Sequence, residues 1–575
     1  MDFSRKRKDL QKKGQAPQWF TTGGYQLLYK NYLSKGETPL DRYRSIAFAL
    51  AQHMPLVYPD WWSYDTYTAG KTYEEVFFNA MWDGYISPST PLLSNGGNRK
   101  KGTTVSCAGG LIDNNLYDRY NAMTEAAVLT KHSHGTSYAI NWPAEGDSLK
   151  RGGHSAGVMP VIRDFINTMD EVVQGTRRGS LAYSLDIRHG DFEHVLKHLY
   201  ENPESNNLGW LITDEFIEDW VDKQTPDAVM RMGKTLGTKM FKGRGYFTKI
   251  NHMNRHRAQA FKNAGLEVRA SNLCQETVLP ASRDYTFSCV ILNVNLELYR
   301  ELPASIFKIA HIMQDCNVSE YIATIDELSP EDQMAMQKIR RFSEDFRSVG
   351  TGVLGWHTLM QRERIVVGSL ECFMLDEEIF SRMEAETLEA SQWLAQVLGE
   401  PKGCVGLGIR NATRMMMPPT KSTAEIMAGA SEGIGLDLSM VFTAQSAGGE
   451  IFRVNKVLLE IMKERGVYND DTIMQIAKQR TVANQDWLTE HEKKVFRCAF
   501  EVPMDTYLDL CSNRQTHIDQ GQSLNLYLTS KDSEEYISYL HAKAFKDPNI
   551  LSLYYIYSMR DTGEISRSTE CVACQ

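Results

Sequence analysis

Five cysteines are placed where they could carry out redox chemistry. Cys107, Cys274 and Cys289 lie at separate points along the chain, and Cys571 and Cys574 form a CxxC pair within the last five residues. A CxxC pair at a chain end can approach an oxidised cysteine pair and reduce it by thiol exchange through a mixed disulfide. The placement predicts an enzyme that draws electrons from thiols.

Asn272, Cys274 and Glu276 bring an amide, a thiol and a carboxylate to positions i, i+2 and i+4. On an extended segment these three side chains point to the same side. A substrate lying over them would meet a hydrogen-bonding amide, a sulfur able to carry an unpaired electron, and a base. Taken alone, the motif is also compatible with a buried cysteine between unrelated polar residues.

The terminal CxxC pair has a second interpretation, as half of a zinc site. The sequence contains no second CxxC pair to complete such a site, and we predict no metal bound by the chain itself. The remaining cysteines show no motif and are predicted to be inert core residues; they are Cys316, Cys372, Cys404, Cys498 and Cys511.

The elements that must position these residues follow an α/β pattern. Apolar residues recur at helical spacing over 40–50 and 73–82. Short apolar runs that predict strands alternate with helical patterns further along, at 139–142, 209–212, 287–292 and 523–528. Such alternation favours βα units with largely parallel strands.

Composition excludes several classes of protein. The 575 residues carry a net charge of −9, and the only basic run is the short segment 5–8, so we expect no nucleic-acid partner. No stretch approaches the roughly 20 apolar residues that cross a bilayer. We expect a cytoplasmic protein, or one of the host cytosol if its source is a virus, in which most cysteines stay reduced.

The length predicts one large catalytic region with additions. We place a helical region at 1–80, the catalytic region at 81–560 and a mobile redox tail at 561–575. The tail is polar and lacks apolar periodicity.

The segment 271–276 resembles the finger-loop motif of the ribonucleotide reductase large (catalytic, alpha) subunit family. Further family-like segments follow the same order along the chain, from about residue 40 to the end: 87–95, Cys107, 287–289, 349–355, 411–413 and 518–526. The resemblance implies a ten-stranded α/β barrel of two parallel five-stranded halves, with the finger loop through its centre.

The implied reaction replaces the 2′-hydroxyl of a ribonucleoside diphosphate by hydrogen. By this resemblance Cys274 forms a thiyl radical, Glu276 acts as general base and Asn272 holds the ribose. Cys107 and Cys289 supply two electrons and close to a disulfide.

The resemblance also implies how the enzyme is reduced again. Cys571 and Cys574 reopen the disulfide, and a thioredoxin or glutaredoxin then reduces the terminal pair.

The resemblance assigns further residues to the substrate. The segment 418–423 resembles the family's phosphate loop, and Pro419, Thr420, Ser422 and Thr423 are expected to bind the diphosphate at a helix start. An ordinary helix cap is the alternative. The stretch 431–436 departs from the family pattern that normally follows. Thr90 and Ser106 match positions that also touch the substrate.

Tyr554 and Tyr555 indicate how the radical arises. Adjacent tyrosines are common in aromatic cores, but this pair resembles the radical relay of class I large subunits. We expect Tyr555 to face the partner, a ferritin-like small subunit that holds the metal cofactor, and Tyr554 to face Cys274. Tyr557 is given no role.

Effector residues are expected at two places. Arg178 resembles a residue of the first specificity loop, and Asp113 or Asn114 occupies the family's effector position. Ser205, Asn206 and Asn207 lie where the second loop would be. A dNTP or ATP bound there would bias substrate choice, and we expect a homodimer that nucleotide can induce.

The family-like segments begin near the start of the sequence, so we expect a compact form without an ATP-cone. Two alternatives remain open: an adenosylcobalamin-dependent reductase, suggested by residues 205–215, and a non-catalytic nucleotide-binding regulator. A glycyl-radical enzyme is disfavoured because the C-terminus lacks the corresponding glycine segment.

Overall fold

The computed structural model describes residues 2–150, 152–174, 177–178, 180–202, 207–446, 449–559 and 565–566. Cys571 and Cys574, and most of the predicted tail, lie outside these residues. None of the helices described is both long and apolar enough to cross a bilayer.

Five helices precede the first strand: α1 (Phe3–Lys12), α2 (Thr22–Asn31), α3 (Pro39–Ala51), α4 (Asp60–Tyr64) and α5 (Tyr73–Trp82). Helices α3 and α5 begin with capping boxes, in which Thr38 and Thr72 cap the first turn while Asp41 and Glu75 bond back to the capping backbone. The two helices pack against each other. The helices predicted over 40–50 and 73–82 are confirmed.

The next part of the chain alternates strands and helices. Its strands are β1 (Ile86–Pro88), β2 (Cys107–Ile112), β3 (Gly135–Ile140), β4 (Glu145–Ser148), β5 (His154–Ala156), β6 (Val173–Gln174), β7 (Arg177–Arg178), β8 (Leu181–Asp186), β9 (Asn207–Ile212) and β10 (Tyr246–Lys249). Its helices are α6 (Thr90–Asn95), α7 (Leu116–Lys131), α8 (Met159–Glu171), α9 (Phe192–Glu201), α10 (Asp214–Ile217), a π-helix (Glu218–Asp222), α11 (Pro226–Lys242), α12 (Ile250–His256) and α13 (Gln259–Asn263).

The remaining strands are β11 (Phe287–Cys289), β12 (Ile291–Asn295), β13 (Gly350–Leu354), β14 (Val441–Ser446), β15 (Gly449–Val454), β16 (Leu526–Thr529), β17 (Ser552–Leu553), β18 (Ile556–Met559) and β19 (Ile565–Ser566). The helices are α14 (Ile306–Asp326), α15 (Pro330–Ala335), α16 (Gln337–Phe346), α17 (Trp356–Arg362), α18 (Leu370–Leu398), α19 (Lys421–Ile426), α20 (Lys456–Glu464), α21 (Asp470–Gln479), α22 (Glu490–Val495), α23 (Met504–Gln515) and α24 (Glu534–Lys546), with 3₁₀ turns at Leu296–Glu301, Lys402–Cys404 and Ala499–Glu501.

Seven strands form one sheet in the order β11, β2, β3, β8, β9, β10 and β17. The five central strands are parallel. The outer strands β11 and β17 pair antiparallel with β2 and β10. The five parallel strands correspond to one of the two five-stranded halves expected for the barrel. The antiparallel strands β11 and β17 extend this sheet at its two edges.

The second half is built from shorter pieces. Strand β12 pairs parallel with β13, and β16 pairs parallel with β18. Parallel bridges join Thr351 to Met415 and Met417 to Gln522, which continues the pairing through segments that are not regular strands. The α/β architecture with parallel strands is confirmed. Of the predicted strands, 209–212 lies within β9 and 287–292 divides into β11 and β12, whereas β3 ends at 140 and β16 begins only at 526.

The finger loop lies between α13 and β11 and contains neither helix nor strand. Every residue from 271 to 281 is nevertheless buried. A buried loop must satisfy its backbone N–H and C=O groups through specific bonds, because water cannot do so. The finger loop must therefore be held in the interior of the molecule by hydrogen bonds to other protein groups.

Candidate active site

A cleft brings together residues that are distant in sequence. Its lining comprises Ser89, Thr90, Ser106, Cys107, Cys274, Glu276, Ile291, Asn293, Pro418, Pro419, Thr420 and Thr423. Eight of these were predicted as site residues from the sequence. The predicted residues Asn272, Cys289 and Ser422 are buried but are not part of this lining.

The cleft presents polar atoms that no protein group satisfies. Within the described part of the chain, Ser89 Oγ, Ser106 Oγ and Asn293 Oδ1 are buried and make no hydrogen bond. All three residues line the cleft. Buried polar atoms are normally paired, so orphaned atoms around one cavity indicate a polar ligand. Ser89 and Asn293 were not predicted as site residues, although Ser89 lies in the family-like segment 87–95 beside the predicted Thr90.

The finger loop makes a tight turn at the predicted motif. Gln275 has a φ of +66°, in the left-handed region, and its backbone N–H donates to Asn272 O at 3.2 Å. Asn272 Nδ2 then donates to Glu276 Oε1 at 2.7 Å, and the Glu276 N–H donates to Asn272 Oδ1 at 3.2 Å. The expectation of an extended segment is wrong, because the turn and not strand alternation brings the amide to the carboxylate.

Residues from the segment 518–526 anchor this turn. Ser523 Oγ lies 2.7 Å from Cys274 O and 3.1 Å from Glu276 Oε2. The Gly521 N–H donates to Glu276 O at 2.8 Å. The backbone of the motif is thereby fixed on both sides of Cys274, as a preorganised reactive group requires.

Burial changes the acidity of Glu276. Desolvation raises its pKa from the usual value near 4.5 to about 7, and the hydrogen bonds from Asn272 and Ser523 offset only part of this rise. Near neutral pH the carboxyl group can therefore exchange a proton with a bound molecule, as a general base must.

We expect Glu276 to make stability depend on pH. Because its folded-state pKa exceeds its unfolded value, its contribution to stability is fully present below pH 4.5 and is lost as the pH rises through about 7. The full loss is about 3 kcal/mol at most. Urea unfolding should show that the free energy of unfolding falls more between pH 5 and pH 8 in the wild type than in Glu276→Gln. Equal falls in the two proteins would contradict a buried carboxyl with raised pKa.

Cys107 and Cys289 are direct partners across the antiparallel strands β2 and β11. Directly opposed residues have Cα atoms about 4.5–5.5 Å apart, which lies within the range that a disulfide spans. Burial and the neighbouring Cys107 thiol raise the pKa of Cys289 well above its usual range, so the thiol form is favoured. Only Cys107 of the pair lines the cleft, and Cys289 Sγ lies behind it, 3.6 Å from Met416 Sδ.

The predicted phosphate segment begins the short helix α19. Thr420 is its N-cap residue, but its side chain does not cap the helix. Thr420 Oγ1 instead accepts a hydrogen bond from the Gly433 N–H at 2.8 Å. The ordinary-cap interpretation therefore fails for this side chain. Since Thr420 and Thr423 both line the cleft, the start of α19 lies beside it.

Tyr554 and Tyr555 are both buried, and their rings contact each other with centroids 3.8 Å apart and 37° between the ring planes. Both belong to the same buried cluster as Cys274. The ring of Tyr246, on β10, contacts both, with its centroid 5.0 Å from that of Tyr554 and 5.6 Å from that of Tyr555. Nothing in the local sequence distinguishes Tyr246 from an ordinary strand residue, and it was missed.

The predicted effector residues are only partly described. Asp113 is half-buried and accepts a bond from Asn141 Nδ2 at 2.7 Å, while Asn114 is exposed. Arg178 lies in β7. Asn207 is buried, and its Oδ1 accepts a bond from Arg244. Ser205 and Asn206 lie outside the described residues, so the effector site stays a prediction.

Family models match almost the whole chain. The model described as "Ribonucleotide reductase, barrel domain" matches residues 105–230, 227–404 and 402–556. The model described as "Ribonucleotide reductase, all-alpha domain" matches residues 18–101.

Individual proteins agree with these models. A solved structure, the Actinobacillus ureae class Id ribonucleotide reductase alpha subunit, is 27% identical, with a TM-score of 0.82 over 94% of this chain and 98% of its own. The ribonucleoside-diphosphate reductase large subunit of Invertebrate iridescent virus 3 is 23% identical over 87% of this chain and 91% of its own. A vitamin B12-dependent ribonucleoside-diphosphate reductase of Thermoplasma acidophilum is 24% identical over 78% of this chain and 61% of its own.

Proposed function

Since this chain belongs to the ribonucleotide reductase large-subunit family, we propose that its cleft reduces ribonucleoside diphosphates by a thiyl-radical mechanism. The chain is the catalytic subunit of a ribonucleoside-diphosphate reductase. One observation supports the mechanism above all: Cys274, Glu276 and Cys107, whose strand partner is Cys289, line a single cleft with unsatisfied polar atoms.

The first step takes place at the finger loop. A Cys274 thiyl removes the 3′-hydrogen atom of the ribose, which leaves a carbon radical at C3′ and restores the Cys274 S–H bond. Glu276 accepts the proton of the 3′-hydroxyl and so makes departure of the 2′-oxygen easier. Asn272, which donates to the Glu276 carboxylate and lies outside the cleft lining, positions this base. We therefore assign it to the base and not to direct contact with the ribose.

The second step uses the paired cysteines. Cys107 faces the cleft and gives its proton to the departing 2′-hydroxyl, which leaves as water. Cys107 and Cys289 together supply two electrons and two protons and join as a disulfide, because they are direct strand partners. Glu276 returns its proton to O3′, and Cys274 returns a hydrogen atom to C3′ and becomes a thiyl again. One ribonucleotide and two thiols thus give one deoxyribonucleotide, one water and one disulfide.

Regeneration needs a second thiol pair. Cys571 and Cys574 attack the disulfide and reopen it by exchange, and a thioredoxin or glutaredoxin reduces them in turn. The buried position of Cys289 makes such a relay necessary, since a whole donor protein cannot reach it directly.

The radical comes from a separate small subunit that holds the metal cofactor. Tyr555 and Tyr554 pass the oxidising equivalent inward to Cys274, since their rings are in contact and share its buried cluster. A second candidate, adenosylcobalamin, is favoured by the similarity to the vitamin B12-dependent Thermoplasma reductase. The contact between the two buried tyrosine rings supports the small subunit as the radical source.

The diphosphate lies at the start of α19. Thr420 and Thr423 line the cleft there with Pro419, and Ser422 is buried beside them. Thr90 and Ser106 line the same cleft, where the unsatisfied Ser106 Oγ can bond a ribose hydroxyl.

We expect Thr420→Val to raise the KM for the diphosphate. The change keeps the side-chain shape but leaves the Gly433 N–H without its acceptor, which costs about 1–3 kcal/mol and loosens the loop. Thr420→Ser keeps the hydroxyl and is the matched control. Steady-state kinetics should show an unchanged KM for the serine variant. Unchanged KM in both variants would remove Thr420 from the substrate site.

Regulation extends the proposal. A dNTP or ATP bound near Asp113, Asn114, Arg178 and the loop 205–207 shifts substrate preference, and nucleotide binding favours a homodimer because the two equilibria are linked.

Hydrogen abstraction can be tested with a 3′-deuterated ribonucleoside diphosphate in direct competition with the unlabelled one. We expect the deuterated substrate to react more slowly, and its product to keep deuterium at C3′ because Cys274 returns the same atom. Deoxynucleotide formed without discrimination would contradict abstraction at C3′.

A further inference from the structure

Tyr557, on β18, joins the buried tyrosine pair to a second aromatic group. Its ring contacts Tyr555 edge-on, with centroids 5.9 Å apart. On its other side it stacks on Tyr527 at 5.4 Å, with 11° between the ring planes. Tyr527 and Tyr557 are partners in the register of β16 and β18, and the backbone pairing holds the two rings together. The aromatic contact therefore extends beyond Tyr555.

Tyr554, Tyr555 and Tyr557, which we call the tyrosine row, differ in their exposure to solvent. Tyr554 and Tyr555 are 2% and 6% exposed, whereas Tyr557 is only half-buried. A phenol that loses an electron also loses its proton, because the neutral radical is far more stable than the cation. A tyrosine whose side chain is partly exposed lies nearer to water that can take up this proton, whereas a fully buried tyrosine needs a neighbouring base. Tyr557 is thus the member best placed to be oxidised from outside.

The geometry points to Tyr557 as a third redox-active tyrosine, which takes the oxidising equivalent from the small subunit and passes it to Tyr555. This inference rests on the radical relay proposed above. Tyr557 gives one electron to the one-electron oxidant that the small subunit supplies and one proton to solvent. The resulting phenoxyl takes one electron and one proton from Tyr555 and becomes a phenol again.

Tyr527 has a different task. It is 5% exposed, and its hydroxyl oxygen accepts a bond from the Leu436 N–H at 3.3 Å. Its ring also contacts Phe500 and Tyr507 edge-on. These contacts fix Tyr527 as a platform on which the Tyr557 ring lies at constant distance from Tyr555.

The first test compares three phenylalanine variants, assayed with the small subunit. Tyr557→Phe keeps the stacked ring and removes the oxidisable hydroxyl, so turnover should fall at least about tenfold with nucleotide Kd unchanged. Tyr536→Phe changes another half-buried tyrosine, one with no ring contact to the row, and should keep full turnover. Tyr555→Phe should be inactive if the relay itself is correct.

The second test traps the radical. 3-Aminotyrosine at position 557 is oxidised more easily than tyrosine and should give an aminotyrosyl signal in electron paramagnetic resonance when substrate, effector and small subunit are present. The same substitution at 536 should give none. An active Tyr557→Phe variant with no trapped radical at 557, alongside an inactive Tyr555→Phe, would overturn the role of Tyr557 alone. An active Tyr555→Phe variant would overturn the relay.

Discussion

Cys274→Ser is expected to abolish deoxynucleotide formation. The serine O–H bond is too strong for the radical to transfer to this position, so no hydrogen-abstracting species forms, and turnover should fall by at least about 10³-fold. The cleft itself should survive, because serine differs from cysteine by one atom and its neighbours hold the loop through their own bonds. Mass spectrometry measures the product, and equilibrium binding measures nucleotide affinity.

Cys372→Ser is the matched control for this change. Cys372 is as buried as Cys274 but lies at the start of α18, outside the cleft lining. A buried serine without a partner costs about 1–3 kcal/mol of stability, so this variant should be less stable yet fully active. Retained turnover in Cys274→Ser would exclude Cys274 as the residue that abstracts the hydrogen atom.

Cys289→Ser is expected to stop sustained turnover even with dithiothreitol present. Without Cys289, the Cys107 thiol has no partner across β2 and β11, so the two electrons for loss of water cannot come from a disulfide-forming pair. In the wild type, free-thiol titration without external reductant should show two thiols lost for each deoxynucleotide formed.

Cys511→Ser controls for the loss of a buried thiol elsewhere, since Cys511 lies on α23 beside Arg514. It should keep both turnover and the thiol balance. Multiple turnovers by Cys289→Ser, with Cys107 as the only thiol of the pair, would exclude the proposed electron donor.

Local patterns predicted the helices better than the strands. The apolar spacing over 40–50 and 73–82 predicted α3 and α5, and such a signal lies within a few neighbouring residues. Strand limits depend on partners far away in sequence. The run 523–528 is apolar, but its first residues bond to Met417 and to the finger loop and do not form a regular strand.

Prediction of the candidate active site shows the same difference between local signals and contacts that are distant in sequence. Composition and periodicity gave only an α/β class, and the pairing of Cys107 with Cys289 came from resemblance, since no local signal joins residues so far apart. The turn at Gln275 was not predicted, because a positive φ at a non-glycine residue is imposed by surrounding contacts. Ser89 and Asn293 were missed for a similar reason: their role follows from the cavity they share.

The source of the radical gives the most direct test of the whole account. The purified chain would receive a ribonucleoside diphosphate, dithiothreitol and a dNTP effector, together with either the metal-loaded small subunit encoded by the same genome or adenosylcobalamin. Mass spectrometry would then measure the deoxynucleotide. We predict product with the small subunit and none with adenosylcobalamin. Product with adenosylcobalamin alone would contradict the tyrosine relay through Tyr554 and Tyr555.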